Sequence, residues 1–245
     1  MSVKAGPKIV KDGLIFDLDA AVSRSYSGSG ITANSLVGGI GGTLFNGVGF
    51  SNANNGSFFF DGTNDQISTA NIDLSYTNKV TVSCWVKVLN YREVNGSSNI
   101  VFEFSSDFNS NIGSFVAAFA DGSGINSGLY PLVLSIRSPG YNYAGYSKTL
   151  VNDLSWHHWG CIFDTSLSGN ENILYIDGVS RAAVITPLQS DNSSNFGNYK
   201  LFFGNRDSSI YPANCNIGQI QVYNRALSQQ EILQNYNATK KRYGL

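Results

Sequence analysis

Charge is what this 245-residue chain lacks most. Asp, Glu, Lys and Arg together make up 13% of it and cancel to a net −1, where an average soluble domain carries about 25%. A chain so close to neutral exerts no long-range pull on nucleic acid or on anionic membranes, so neither is expected as a partner. The one basic cluster, Lys240-Lys241-Arg242, reads as a solvated helix C-terminus. No segment approaches the ~18 consecutive apolar residues of a membrane-spanning helix. Met1–Pro7 has no apolar core of the kind a secretory signal needs, and synthesis in a reducing cytoplasm is the expectation. Cysteine is scarce and odd in number. Cys84 and Cys161 lie in strand-like runs where Cys behaves as a small hydrophobe, and all three thiols, Cys215 included, are expected to be free.

Histidine is scarcer still. His157 and His158 are the only two, adjacent in a strand-like run, so they point to opposite faces and cannot share a metal ion. No His-Glu-x-x-His, Gly-x-Ser-x-Gly, P-loop or dinucleotide fingerprint occurs, which removes the metalloprotease, serine hydrolase and nucleotide-binding classes.

What replaces charge is Ser, Asn, Thr and 26 Gly, together with 13 Tyr and 15 Phe, in a chain that is 42% apolar. Aromatic and β-branched residues cover pleated faces, while Gly, Asn and Ser make tight connections. Val80, Val82, Cys84, Val86 and Val88 alternate with Thr81, Ser83, Trp85 and Lys87, the period of a half-buried antiparallel strand. Further strand-like runs are Gly13–Leu18, Ser57–Asp61, Gln66–Ser68, Ile100–Phe104, Ser114–Phe119, Leu132–Arg137, Trp156–Phe163, Ile173–Asp177, Lys200–Gly204 and Ile217–Tyr223. With no helices between them, these predict an all-β fold, a two-sheet antiparallel sandwich formed by one domain over residues 1–245. The Gly-rich stretch around Ile40 reads as a surface loop. One short C-terminal helix is marked by Ser228 as N-cap with Glu231 three residues on, by Leu227 and Ile232 as a staple, and by an apolar stripe of Ile232, Leu233 and Tyr236.

Several of these segments together resemble the laminin-G-like, concanavalin-A-like lectin and glucanase jelly rolls. They are Phe59–Ile67 with its Asp61-Gly62 turn, Val82–Lys87, Trp156–Trp159, Tyr175–Gly178, and the strand-into-helix run Gly218–Ile232. The two ends, Gly13–Ala20 with Ser25–Gly30, and Tyr223–Ser228 through Arg242–Gly244, are similar to a subgroup common in tailed-bacteriophage structural proteins.

That resemblance implies a non-enzymatic virion protein: a capsid decoration, fibre or appendage subunit located on the virion, packed against other virion proteins and open to homo-oligomerisation. The alternative it implies is an adhesin that binds host-surface glycans. Relatives bind sugars through loops at one end of the sandwich, often with Ca²⁺. Candidate Ca²⁺ ligands are Asp107, Asp121 and Asp153, although no dense Asp-x-Asp-x-Asp loop is present, and Asp61 and Asp177, each before Gly, read as turn formers. Candidate sugar contacts are Tyr141, Asn142, Tyr143 and Tyr146, on what reads as a Gly-containing loop where ring faces can stack on a sugar. A polysaccharide-degrading enzyme is the third implied reading. Glucanases of this fold array carboxylates along one strand in a pattern like Glu-x-Asp-x-x-Glu, and neither Glu103 nor Glu171 stands in such an array.

Overall fold

A computed structural model describes residues 7–90, 98–105, 107–120, 132–137, 141–184, 194–206 and 211–245, with the backbone alone at 98, 120, 141, 142 and 148. The strands of the first half are β1 (Leu14–Asp19), β2 (Thr32–Asn34), β3 (Gly41–Phe45), β4 (Gly49–Ser51), β5 (Ser57–Asp61), β6 (Gln66–Thr69), β7 (Ile72–Asp73) and β8 (Lys79–Asn90). Then come β9 (Ser98–Phe104), β10 (Ser114–Ala120), β11 (Leu132–Arg137), β12 (Tyr141–Tyr146), β13 (Trp156–Asp164) and β14 (Asn172–Ile176). The last are β15 (Val179–Arg181), β16 (Asn198–Tyr199), β17 (Leu201–Phe203) and β18 (Asn214–Tyr223), followed by helix α1 (Gln229–Thr239) and a 3-10 turn at Lys240–Tyr243.

Two eight-stranded antiparallel sheets form the sandwich. One runs β15-β14-β13-β8-β18-β5-β4, with β1 also pairing β18; the other runs β12-β11-β10-β9-β17-β6-β3-β2. Strands β7 and β16 make a separate small pair. The expected all-β sandwich with one C-terminal helix is therefore what the chain forms. Two stretches read as loops are strands instead: Gly41–Phe45 pairs with Gln66–Thr69, and Tyr141–Tyr146 pairs with Leu132–Arg137. In both, backbone pairing with a neighbouring strand outweighs the turn-forming tendency of the glycines.

The core lies between the sheets. The five alternating residues Val80, Val82, Cys84, Val86 and Val88 of β8 meet Phe102, Phe104, Phe115 and Phe119 of the facing sheet in one contiguous cluster. Cys84, Cys161 and Cys215 are free and buried in it, as the sequence predicts.

The other face of β8 is not half-exposed as its alternation suggests. Thr81, Ser83 and Trp85 are buried because the C-terminal segment lies across them as a third layer. Thr81 Oγ1 donates to the Arg225 carbonyl at 2.8 Å and accepts from Leu227 N at 2.9 Å. Trp85 stacks on Tyr243 with ring centroids 4.1 Å apart, and its Nε1 donates to Thr239 Oγ1. Gly160 of β13 lets the helix approach, since a Cβ there would meet Ile232 Cγ2 at 2.9 Å.

Helix α1 starts as its sequence specifies. Ser228 Oγ accepts from Glu231 N, and Glu231 reaches back to Ser228 N, completing the capping box. Leu227 and Ile232 bury together against Val10 and Tyr223. The inward stripe differs from the expected one. Leu233 is 41% exposed, and Asn235 takes the buried position, accepting from Val10 N and donating to the Tyr223 hydroxyl. Nor is Arg242 a solvated helix end: it donates to Asp19 Oδ1 at 2.6 Å and to the carbonyls of Asn54 and Gly56.

Truncating Ile232 to Ala removes core contacts and should cost about 2–5 kcal/mol, against about 0.5–2 kcal/mol for Ser228→Ala at the cap. Thermal or urea unfolding of the two variants should show the larger loss for Ile232→Ala. A midpoint for Ile232→Ala at the native value would mean that the helix does not stabilise the sandwich.

Candidate functional site

On β9, Phe102 and Phe104 point into the core, so Glu103 between them points to the outer face of its sheet. It is nonetheless fully buried. A lone carboxylate there is untenable without a partner, because losing its hydration costs several kcal/mol. Arg206 supplies the partner. Its Nε donates to Glu103 Oε2 at 2.9 Å and Oε1 at 3.1 Å, while Ser105 Oγ donates to Oε1 at 2.8 Å. Burial pushes the Glu103 carboxyl above its ordinary value; the charge and hydrogen bonds of Arg206 and the Ser105 hydroxyl oppose that rise without cancelling it.

Arg206 is itself positioned by its loop. The buried Asn205 accepts through Oδ1 from Arg206 N and Tyr211 N, which draws residues 206 and 211 together, and Gln66 Nε2 holds the Arg206 carbonyl. The Arg206 guanidinium carbon then lies 4.6 Å from the Tyr211 ring centroid and 5.7 Å from that of Phe108, within cation–π range. Phe108 belongs to the turn after β9, which folds back so that its ring packs on Ile100, Val116 and Ala118. The result is an ion pair flanked by aromatic rings on the outer face of a sheet.

The register carries this face outward. Glu103 stands opposite Val116, Val116 opposite Ser135, and Ser135 opposite Tyr143. Three strand spacings put Tyr143 roughly 14 Å from Glu103 on the same face. Of the four predicted sugar contacts, then, Tyr143 shares the face of the ion pair and is half-buried. Tyr146 points the other way: it is buried in the core and its hydroxyl donates to the Asn172 carbonyl at 2.8 Å, so it is unavailable to a ligand. The side chains of Tyr141 and Asn142 lie outside the described residues.

Two of the three proposed Ca²⁺ ligands, Asp107 and Asp153, are described, and each is engaged within its own segment. Asp107 closes its own turn, accepting from Asn109 N and Ser110 Oγ, and the Ser110 hydroxyl holds its carboxyl below the usual range. Asp153 lies before β13 in the opposite sheet and accepts from Ser155 N and His157. Asp121 lies outside the described residues. Among the described residues, no group of three or more His, Cys, Asp or Glu is arranged to hold a metal ion. Asp61 and Asp177 are turn residues as expected: Asp61 Oδ1 accepts from Thr63 N, and Asp177 adopts φ 56° before Gly178.

Sequence reasoning passed over Glu103 because it sought several carboxylates on one strand, and it passed over Arg206 altogether. The signal present was a single charge inside the aromatic alternation Phe102-Glu103-Phe104, which demands a buried cation from elsewhere in the chain.

Comparison with known proteins matches residues 61–233 to the model of the Concanavalin A-like lectin/glucanases superfamily. No curated protein sequence matches the chain. Among solved structures, the botulinum neurotoxin serotype D ligand binding domain in complex with N-acetylneuraminic acid aligns with TM-score 0.64 and 14% identity, over 92% of this chain and 50% of that one. Domain 4 of AbnA, a GH43 extracellular arabinanase from Geobacillus stearothermophilus, in complex with arabinotriose, aligns with TM-score 0.61 and 14% identity, over 93% of this chain and 100% of that one. Trypanosoma rangeli sialidase aligns with TM-score 0.63 and 10% identity, over 96% of this chain and 34% of that one. The chain thus spans about half the length of the toxin binding domains it matches. At these identities the likeness is one of fold.

The histidines form a separate cluster on the other sheet. His158 is fully buried beside Trp85, with Nε2 2.9 Å from Ser83 Oγ, and burial lowers its pKa to about 4. His157 lies on the opposite side of its strand, with Nδ1 2.7 Å from Asp177 Oδ2 and Nε2 2.9 Å from Asp153 Oδ1. Only the imidazolium donates from both nitrogens. Burial alone would lower the His157 pKa, but hydrogen bonds and charge from Asp177 and Asp153 outweigh it and leave the value raised above 6.5. A raised folded-state value means that this clamp stabilises fully below pH 6.5 and is lost as pH rises through the higher folded value. The gap in unfolding midpoint between the native protein and His157→Gln should therefore be wider near pH 5.5 than near pH 8.5. Equal gaps at the two values would show that the imidazolium contributes nothing.

Proposed function

The chain belongs to the Concanavalin A-like lectin/glucanases superfamily, and on that premise we propose that it binds carbohydrate without cleaving it. The observation that carries this reading is the aromatic-flanked Arg206, locked by the buried Glu103 on the outer face of its sheet. An oriented guanidinium supplies directed donors for sugar hydroxyls, and the partly buried Tyr211 ring beside it supplies apolar edge for C–H groups. The half-buried Tyr143 lies further along the same face. Two of the solved structures of similar fold are complexes with arabinotriose and with N-acetylneuraminic acid, which supports the same class of ligand here.

Cleavage is disfavoured by the carboxylates. Among the described residues, the eight strands of this sheet carry a single one, Glu103, and both its oxygens are engaged by Arg206. Glu103 and Asp107 have pKa values moved in opposite directions, as in an acid–base pair. Glu103 is out of reach of a scissile bond, however, and Asp107 is held by its own turn.

A place on a virion, as a decoration, fibre or appendage subunit, is the proposed setting for the same binding surface. It rests on the residues at the two ends of the chain, and glycan recognition is the better supported of the two functions. Mass spectrometry of purified particles tests the setting; absence of this chain from them would remove it.

On a glycan array the protein should bind at least one oligosaccharide class, with weaker signals for Tyr143→Ala. A reducing-sugar assay over the bound glycans should show no turnover. A silent array at high protein concentration would overturn the binding reading, and sustained turnover would overturn the non-enzymatic one.

A further inference from the structure

Arg206 is held on several sides, and what remains free selects a ligand. Glu103 occupies Nε through both of its oxygens, at 2.9 and 3.1 Å. The flat guanidinium is flanked by Tyr211 and Phe108. Among the described residues, these contacts leave the in-plane edge bearing Nη1 and Nη2, on a side chain that is 15% exposed. Two amino groups fixed in one plane match either a carboxylate or two adjacent hydroxyl oxygens.

Charge decides between those ligands. Glu103 already neutralises Arg206, and Asp107 acts electrostatically on both. The strands of this sheet add one further cation, Arg137, whose Nε is directed to the Asn109 carbonyl of the same turn. Two described cations thus stand against two described anions. An incoming carboxylate would give up its hydration to meet a guanidinium whose charge is balanced, and Asp107 would repel it. A pair of hydroxyls meets neither penalty.

We propose, resting on the carbohydrate-binding reading above, that this site takes a neutral sugar whose vicinal hydroxyls accept from the Nη edge of Arg206. Acidic sugars, sialylated ones included, are excluded. In the sugar-bound state the donors come from Arg206, the ring edge of Tyr211 borders the sugar, and Glu103 remains bound to Nε as a positioning residue.

The test uses matched oligosaccharide pairs, with and without terminal N-acetylneuraminic acid, and arabinotriose as a free neutral probe, at low and high salt. The neutral members should bind, with affinity changing less than about twofold between the salt conditions because no net charge is neutralised. Adding N-acetylneuraminic acid should give no gain. Arg206→Lys keeps a cation for Glu103 but lacks the planar fork; it should retain the native fold by circular dichroism and lose about tenfold or more in neutral-sugar affinity. Tyr211→Leu keeps apolar volume and should also weaken binding. Binding that requires N-acetylneuraminic acid, or that falls steeply with salt, would overturn the neutral-sugar assignment while leaving carbohydrate binding intact. Neutral-sugar binding unchanged in a folded Arg206→Lys protein would move the site away from Arg206. Failure of every glycan to bind would overturn the broader reading as well.

Discussion

Everything in the first sheet depends on Trp85 being covered. A two-layer sandwich needs one buried face per sheet, and β8 satisfies that with its valines and Cys84. Its opposite face then presents Thr81, Ser83 and an indole to the outside, alongside Trp156 and His158 of β13. Exposed, that surface would be an apolar patch with an aromatic centre. The C-terminal segment removes it by stacking Tyr243 and Tyr236 on Trp85, and Trp156 joins the same cluster. Two of the polar side chains beneath find partners there, Thr81 in Arg225 and Leu227, and Tyr223 in Asn235 and Val10. Arg242 anchors the end of the segment to Asp19 and to the loop around Asn54. This layer is a structural cover, and it leaves the outer face of the second sheet for the proposed carbohydrate recognition.

Much of this was legible in the sequence. The alternation through Val80–Val88 located the central strand, and Ser228 with Glu231 located the helix start, because both patterns depend on residues next to one another in the chain. What was not legible depends on long-range partners. Period two cannot tell whether the second face of a strand is solvated or covered, so the burial of Trp85 was hidden. The helix stripe was misread at Leu233 because Asn235, a polar residue, is buried only through its bonds to Val10 and Tyr223. Tyr141–Tyr146 looked like a loop for its glycine and tyrosines, yet pairing with β11 makes it a strand and turns Tyr146 into the core.

The site was the least legible part for the same reason. Glu103 and Arg206 are more than a hundred residues apart and join only when β17 pairs with β9, placing the loop after Phe203 above Glu103. Neither residue has a motif around it. The recoverable signal is energetic: in a chain so poor in charge, an acid flanked by core phenylalanines cannot stay ionised without a cation folded onto it.

That pairing also ties the proposed recognition to the fold. Removing Arg206 outright strands a buried carboxylate, a loss of about 3–5 kcal/mol by the usual behaviour of such pairs. Loss of binding in such a variant would be indistinguishable from partial unfolding. The guanidinium proposed to face the ligand is also the charge that makes Glu103 tolerable inside the protein, so it is in place without any ligand. Preorganisation of this kind limits the ordering cost of binding. For the proposed sugar, a hydroxyl or amide could also donate, but none would both neutralise Glu103 and present a rigid pair of donors.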